Sequence, residues 1–228
     1  MGFYPIMCDL DKMPVILVGR GPEATRRLRL LDEAGAKSVT VYSDAPSADF
    51  AAAAGERLRH GLPTADTLPP RGIMLIGDLE AELGHQLAEM AHQGGLWVNV
   101  EDQIADCDFY SAAMVRRGDL LITVSTGGKI PGLSGEIAAF LGKIFTSEWR
   151  DHLQNWAVLR KNWRDMGQSK TEIRAKISAL LQRTLWHRRW QKPVRIYFPM
   201  LSPLAANMPL KRSVSAIKAL RIPYSSDE

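Results

Sequence analysis

A short turn rich in small residues lies near the start of the chain, between an apolar run and a helical pattern. It reads Gly19-x-Gly21-x-x-Ala24 and follows the apolar residues 14–18. Gly19 allows a tight turn, Gly21 lets the backbone approach a phosphate, and Ala24 lets the helix pack close to the strand. The helix N-terminus, with its free N–H groups and positive dipole end, can then hold a diphosphate. The spacing predicts a dinucleotide-binding turn; the alternative is a glycine-bearing turn in an α/β domain without a nucleotide.

Two residues inside this turn alter its chemistry. Pro22 lacks the N–H donor that other residues would supply. Glu23 places a carboxylate near the phosphates, where it would repel them unless it points away. Three neighbouring arginines could offset that charge: Arg20, Arg26 and Arg27.

An acidic residue follows the second predicted strand. Asp44 lies 25 residues after Gly19, where a carboxylate can accept hydrogen bonds from ribose hydroxyls and repel a 2′-phosphate. This position favours NAD over NADP. Alternatively, Asp44 caps the turn that begins at Ala45.

A lone carboxylate, Asp102, lies just past the predicted strand at residues 96–100. Ligands meet a parallel sheet at the carboxyl ends of its strands, so this side chain could accept a proton from a bound substrate. The alternative is a helix N-cap or a turn residue.

Apolar runs alternate with helical patterns through residue 100, which predicts a parallel sheet with helices on both faces. A hairpin of residues 109–115 and 120–124 should follow, then a helix at 132–145 and a helical, Trp-rich region at 147–190. Prolines interrupt the chain from residue 193 onward. We expect an α/β Rossmann-like domain at residues 1–112, a central α+β region at 113–146, a helical domain at 147–190, and a tail at 191–228 that is partly disordered.

Charge is distributed unevenly along the chain. Residues 1–149 carry a net charge of −7 and residues 150–228 a net charge of +11. The basic part could meet an anionic partner, or it could consist of solvated helix faces. Nucleic-acid binding is one hypothesis for the function, but the basic part contains no recognisable nucleic-acid motif, which disfavours it.

Several classes of protein are disfavoured. The chain has no apolar run of eighteen residues, and its N-terminus lacks the pattern of a signal peptide. Cys8 and Cys107 fit no zinc or redox spacing, and the histidines are scattered. We expect a cytoplasmic protein with reduced thiols, no resident metal and no membrane segment.

Several short segments together resemble the precorrin-2 dehydrogenase family, the N-terminal module of siroheme synthases, over about residues 3–185. These segments are residues 4–7, 18–27, 99–102, 107–110, 117–120 and 125–131. The resemblance implies NAD⁺-dependent oxidation of precorrin-2 to sirohydrochlorin, in some members followed by Fe²⁺ insertion to give siroheme. It also implies a homodimer that uses the central region for dimerisation.

The resemblance assigns roles to particular residues. The cofactor contacts fall on Gly19, Gly21, Pro22, Glu23, Ala24, Asp44 and Ala45. The essential aspartate of the family falls on Asp102, which suits a reaction that removes a hydride and a neighbouring proton. The substrate contacts fall on Ser125, Thr126 and Gly127, and Arg117 is a candidate for holding the carboxylates of precorrin-2. Alternatively, residues 125–128 are a strand-to-helix connection that needs small residues.

One segment departs from the family pattern. An Ala-Ala-Thr-Asp-like stretch is replaced here by Leu75-Ile76-Gly77-Asp78, in which Ile76 is bulkier than alanine. This departure, with Pro22 and Glu23, supports a second hypothesis: a tetrapyrrole-binding or carrier protein without redox chemistry.

Overall fold

The computed structural model describes residues 4–186 of the 228. The predicted tail at 191–228 lies outside the described residues. The described chain divides into two compact units, the first ending at Arg150 and the second beginning at Asp151. The predicted boundaries at residues 112 and 146 both fall within the first unit, and they stay predictions.

A parallel sheet of five strands forms the centre of the first unit, in the order β3-β2-β1-β4-β5. The strands are β1 (Val15–Gly19), β2 (Val39–Ser43), β3 (Leu58–His60), β4 (Ile73–Gly77) and β5 (Trp97–Val100). The helices between them are α1 (Pro22–Glu33), α2 (Ala48–Ala54) and α3 (Ala81–Gln93). The predicted α/β Rossmann-like fold is confirmed.

Alternate residues of β1 pack in two hydrophobic cores, one on each face of the sheet. Val15 and Leu17 pack with α1 and α2, whereas Ile16 and Val18 pack with α3. All five β1 residues are buried, which explains why this strand reads as a continuous apolar run. The strand order reverses between the neighbouring strands β1 and β4, because α1 and α2 cover one face of the sheet and α3 covers the other. Ligands bind such sheets at this switch point.

A two-stranded antiparallel hairpin follows the sheet. It consists of β6 (Ala113–Arg117) and β7 (Leu120–Val124), and Gly118 turns between them with φ of 62°. The predicted start of its first strand at Phe109 is wrong. Asp108 donates its amide to the carbonyl of Val98 (2.8 Å), so this segment is bound to β5 instead.

Helix α4 (Pro131–Ile144) packs on the hairpin, where Ala138 and Val115 are buried. Helix α5 (Trp149–Asp165) begins at the end of the first unit, and α6 (Lys170–Trp186) belongs to the second. Ser169 and Glu172 cap the start of α6, since the Ser169 amide donates to the Glu172 carboxylate at 2.8 Å. The predicted helical region is therefore two helices.

Candidate functional site

The turn after β1 has the close backbone packing that its glycine predicts. A Cβ on Gly19 would lie 2.5 Å from the Cβ of Ala24 and 2.6 Å from the carbonyl oxygen of Gly77. Gly19 and Gly77 are register partners in adjacent strands, and Ala24 is fully buried. The roles predicted for Gly19 and Ala24 in the shape of the turn agree with this geometry.

The amides of this turn are bonded to a side chain that the sequence reasoning did not assign to them. The Asp78 carboxylate accepts from the N–H groups of Gly21 (3.1 Å), Glu23 (3.2 Å) and Ala24 (2.7 Å). Pro22 has no N–H to give. Asp78 therefore stands where the sequence predicts a diphosphate. The available signal was an acidic residue directly after the strand that pairs with β1.

Asp78 is held there by an unusual backbone. Its φ is 56°, in the left-handed region that glycine adopts routinely and that asparagine and aspartate adopt only occasionally. Its amide donates to the Glu101 carboxylate at 2.7 Å. The ends of β4 and β5 are thereby joined by two acidic residues beside the turn.

Glu23 points away from the turn amides, toward two arginines. Its carboxylate accepts from Arg26 (2.6 Å) and Arg27 (2.8 Å). Burial alone would raise the pKa of Glu23, but the hydrogen bonds from both arginines outweigh it and lower the pKa. Arg27 also donates to Oδ1 of Asn99 at 2.6 Å. Of the three arginines expected to offset the charge of Glu23, Arg26 and Arg27 pair with it in the structure.

Arg20 has a different role. Its guanidinium donates to both carboxylate oxygens of Asp44 (2.7 Å each) and to both of Glu80 (2.7 and 2.9 Å). The hydrogen bond from Arg20 lowers the pKa of Asp44, so this carboxylate stays charged. Asp44 and Ala45 lie at the end of β2, as the ribose-binding prediction requires, but the Asp44 oxygens are shared with Arg20.

Asp102 follows β5 as an exposed residue with φ of 55°. Glu101 and Asp102 form a turn, and the N-cap position of the short helix that follows belongs to Gln103. The alternative of a turn residue therefore agrees with the structure, and that of a helix N-cap does not. Asp102 directly follows Glu101, whose carboxylate lies 3.4 Å from the position of a Cβ on Gly77. Asp102 is thus a solvent-facing carboxylate at the same edge of the sheet as the turn.

Ile76 lies away from the turn. It is 1% exposed and packs in the core on the α3 side, with Leu87 and Val98. Its bulk therefore fills the core of the sheet. Two residues of the altered segment reach the turn: Gly77, whose carbonyl oxygen faces Gly19, and Asp78, whose carboxylate accepts from the turn amides.

The loop before α4 bonds mainly to itself. Gly127 donates its amide to the Ser125 hydroxyl (3.1 Å), and the Thr126 hydroxyl donates to the carbonyl of Ile130 (3.0 Å). These bonds fit the alternative of a strand-to-helix connection. The substrate contacts assigned to Ser125, Thr126 and Gly127 stay predictions.

Arg117 caps the end of α4. Its guanidinium donates to the carbonyl oxygens of Phe145 (2.6 Å), Gly142 (3.0 Å) and Arg116 (2.8 Å). Such bonds satisfy carbonyls that a helix end leaves unpaired. Its assignment to substrate carboxylates stays a prediction. Such a contact would have to use guanidinium N–H groups other than those bonded to these three carbonyls.

Two features are absent from residues 4–186. No group of three or more histidine, cysteine, aspartate or glutamate side chains there could hold a metal ion. Within the same range, no helix has the length and apolar character needed to span a bilayer.

Comparison with known proteins agrees with this architecture. Residues 6–113 match a family model described as "Putative NAD(P)-binding". Siroheme synthase 1 of Pectobacterium atrosepticum is 30% identical over 191 residues, covering 82% of this chain and 38% of that protein. Siroheme synthase of Thioalkalivibrio sulfidiphilus is 29% identical over 203 residues, covering 87% of this chain and 39% of that protein.

A solved structure shares the fold. SirC, a precorrin-2 dehydrogenase, aligns with a TM-score of 0.64 and 21% identity, covering 81% of this chain and 93% of that one. The chain spans about two fifths of the length of the siroheme synthases that it matches. The residues that match the family model, 6–113, include the turn and the five-stranded sheet. Over more than four fifths of its length the chain is therefore similar to siroheme synthases, and it shares the fold of a precorrin-2 dehydrogenase.

Proposed function

We propose that this chain is an NAD⁺-dependent precorrin-2 dehydrogenase that forms sirohydrochlorin in siroheme biosynthesis. The observation that carries the proposal is the position of Asp102. It is an exposed carboxylate at the carboxyl end of β5, next to Glu101, which contacts the strand end beside the nucleotide turn. The family relationship supplies the substrate class and the nucleotide.

The reaction removes a hydride and a proton from precorrin-2. A bound dinucleotide would supply the acceptor for the hydride. Asp102 accepts the proton, because a solvated carboxylate at the strand end can come within hydrogen-bond reach of a large flat substrate. The side chains around the turn do not fit a diphosphate as they stand, because Asp78 uses the amides of Gly21, Glu23 and Ala24.

The test is the conversion of precorrin-2 by the purified protein with NAD⁺, followed by the absorbance of NADH and of sirohydrochlorin. Asp102→Asn is the variant of choice, because asparagine tolerates the left-handed backbone and keeps the size of the side chain while removing its charge and one of its two acceptor oxygens. We expect its kcat to fall about a hundredfold or more, the usual contribution of a positioned acid or base. Asp66→Asn, at an exposed aspartate in a short helical turn after β3, is the matched control. Full activity of Asp102→Asn would refute the role of Asp102.

The occupied turn favours a second candidate, a tetrapyrrole-binding or carrier protein without redox chemistry. Such a protein would bind precorrin-2 or sirohydrochlorin and ignore the dinucleotide. Titration with NAD⁺, followed by calorimetry, separates the two candidates. Saturable NAD⁺ binding supports the dehydrogenase, and tetrapyrrole binding without NAD⁺ binding supports the carrier.

We also propose a homodimer that uses the central region. Ile137 and Phe140 lie on α4 with 37% and 44% of their surfaces exposed, and burying them against a second copy would be favourable. Sedimentation equilibrium should give twice the mass of one chain, and Phe140→Asp should shift it toward the monomer. A monomeric wild-type protein would contradict this proposal.

Two further aspects belong to the same proposal. Fe²⁺ insertion into sirohydrochlorin would make the chain bifunctional, with Fe²⁺ as a substrate; incubation with sirohydrochlorin and Fe²⁺ tests it by the appearance of siroheme. A cytoplasmic location suits the two free thiols, Cys8 and Cys107.

A further inference from the structure

We infer that Asp78 is an internal competitor for the phosphates of the dinucleotide. Its carboxylate occupies the phosphate-binding amides, and the nucleotide binds only after this side chain has left. The inference rests on the proposed function for the identity of the nucleotide. It adds a residue that sets nucleotide affinity and that none of the sequence motifs assigns.

Asp78 accepts from every N–H group at the start of α1. The amides of Gly21, Glu23 and Ala24 all donate to the two oxygens of this carboxylate, and Pro22 has no N–H. The next amide, that of Thr25, is bonded to the carbonyl of Gly21 at 3.1 Å. A diphosphate would therefore find no free N–H group at the start of α1.

Asp78 also fills the space that the second glycine leaves open. A Cβ placed on Gly21 would lie 3.1 Å from Oδ1 of Asp78 and 3.2 Å from its carboxyl carbon. The glycine that would allow the backbone to approach a pyrophosphate here faces a carboxylate. A phosphate group and the Asp78 side chain cannot share this volume.

Charge acts in the same direction. Asp78 and Glu101 bring two carboxylates to the turn, and Glu23 is a third on the first turn of α1. Arg26 and Arg27 are paired with Glu23, and Arg20 is paired with Asp44 and Glu80. A dinucleotide would thus meet like charge at the one place where the helix dipole attracts it.

The left-handed backbone of Asp78 makes two informative variants available. Asp78→Gly removes the side chain at a φ of 56° that glycine adopts without cost. Asp78→Asn keeps the size and the backbone preference but removes the charge and one of the two acceptor oxygens. Asp66→Asn serves again as a control for the loss of one negative charge elsewhere in the same domain.

The experiment measures binding of NAD⁺ and of inorganic pyrophosphate to the full chain by calorimetry. We expect Asp78→Gly to bind both roughly tenfold more tightly than the wild type, with Asp78→Asn between them, the scale expected for removing a competing charge from a helix N-terminus. Asp66→Asn should match the wild type. Amide NMR signals of Gly21 and Ala24 should shift on pyrophosphate addition in Asp78→Gly at concentrations that leave the wild type unchanged.

The outcomes separate this inference from the proposed function. If wild type and both Asp78 variants bind NAD⁺ equally, or if the variants bind it more weakly, the competitor role is overturned and the dehydrogenase proposal stands. If the variants gain pyrophosphate binding but no protein binds NAD⁺, the competitor role stands and the dehydrogenase proposal fails. If no protein binds either probe, both are overturned.

Discussion

Replacing Gly19 by alanine should destabilise the protein strongly, because one methyl group would meet two atoms at once. The new Cβ would lie 2.5 Å from the Ala24 Cβ and 2.6 Å from the Gly77 carbonyl oxygen. The second contact is with the backbone of an adjacent, fully buried strand, so it cannot be relieved by a side-chain rotation. Either α1 must move away from the sheet or β1 must separate from β4.

Overpacking of a core usually costs about 1–3 kcal/mol, and we expect Gly19→Ala to lie at the upper end, about 3 kcal/mol. This is a large share of the roughly 5–15 kcal/mol by which domains are stable. The control is Gly135→Ala, since a Cβ at that position on α4 meets no atom within 4 Å. We expect this control to gain roughly 0.5–1 kcal/mol, because alanine is the better helix former.

Equilibrium unfolding in urea measures both effects. A second change, Ala24→Gly, should recover part of the loss in the double variant, because it removes the first contact and leaves the contact with Gly77. A double-mutant cycle isolates that coupling. The reasoning is refuted if Gly19→Ala unfolds at the same urea concentration as the wild type, or if Ala24→Gly gives no recovery.

Two substitutions and one labelling experiment test other features of the structure. The hydrogen bond to Asp106 raises the pKa of His85, so this pair stabilises the fold below the unfolded-state pKa of about 6.5 and ceases to do so as the pH rises through the folded-state pKa. Urea unfolding of His85→Gln should therefore differ from the wild type at acidic pH and converge with it at alkaline pH; a constant difference would contradict the pairing. Arg117→Ala should lower the free energy of unfolding by about 1–3 kcal/mol, because two carbonyls at the end of α4 lose their charged donor, and an unchanged urea midpoint would refute the cap. Burial raises the pKa of the Cys107 thiol, so mass spectrometry should find iodoacetamide on the exposed Cys8 well before Cys107, and equal rates would count against that burial.

Much of the fold was predictable because its signals are local. The buried run of β1, the glycines after it and the helical pattern of α1 are contiguous, and each constrains the next. The first strand of the hairpin was placed too early because its start depends on a distant partner. Phe109 looks strand-like, yet its carbonyl accepts a hydrogen bond from the side chain of Asn99 on β5, and the amide of the preceding Asp108 donates to the carbonyl of Val98.

The candidate site was predictable in its location but not in its occupancy. Spacing predicts the turn at Gly19 and Gly21 and the acidic Asp44 at the end of β2, and the family resemblance adds Asp102 at the end of β5. Which groups bond to them depends on residues far apart in the chain. Asp78 reaches the turn from 57 positions away, and Arg20 reaches Glu80 across 60.

The sequence by itself determined the parallel sheet, the position of the turn with a dinucleotide-binding pattern and the family that the chain resembles, because periodicity and short-range spacing carry that information. Only the tertiary structure decided that a carboxylate from the neighbouring strand end bonds to the amides of the turn. The physical reason is register: pairing of Gly19 with Gly77 sets the residue after β4 directly against the start of α1. No pattern within either segment alone specifies that contact.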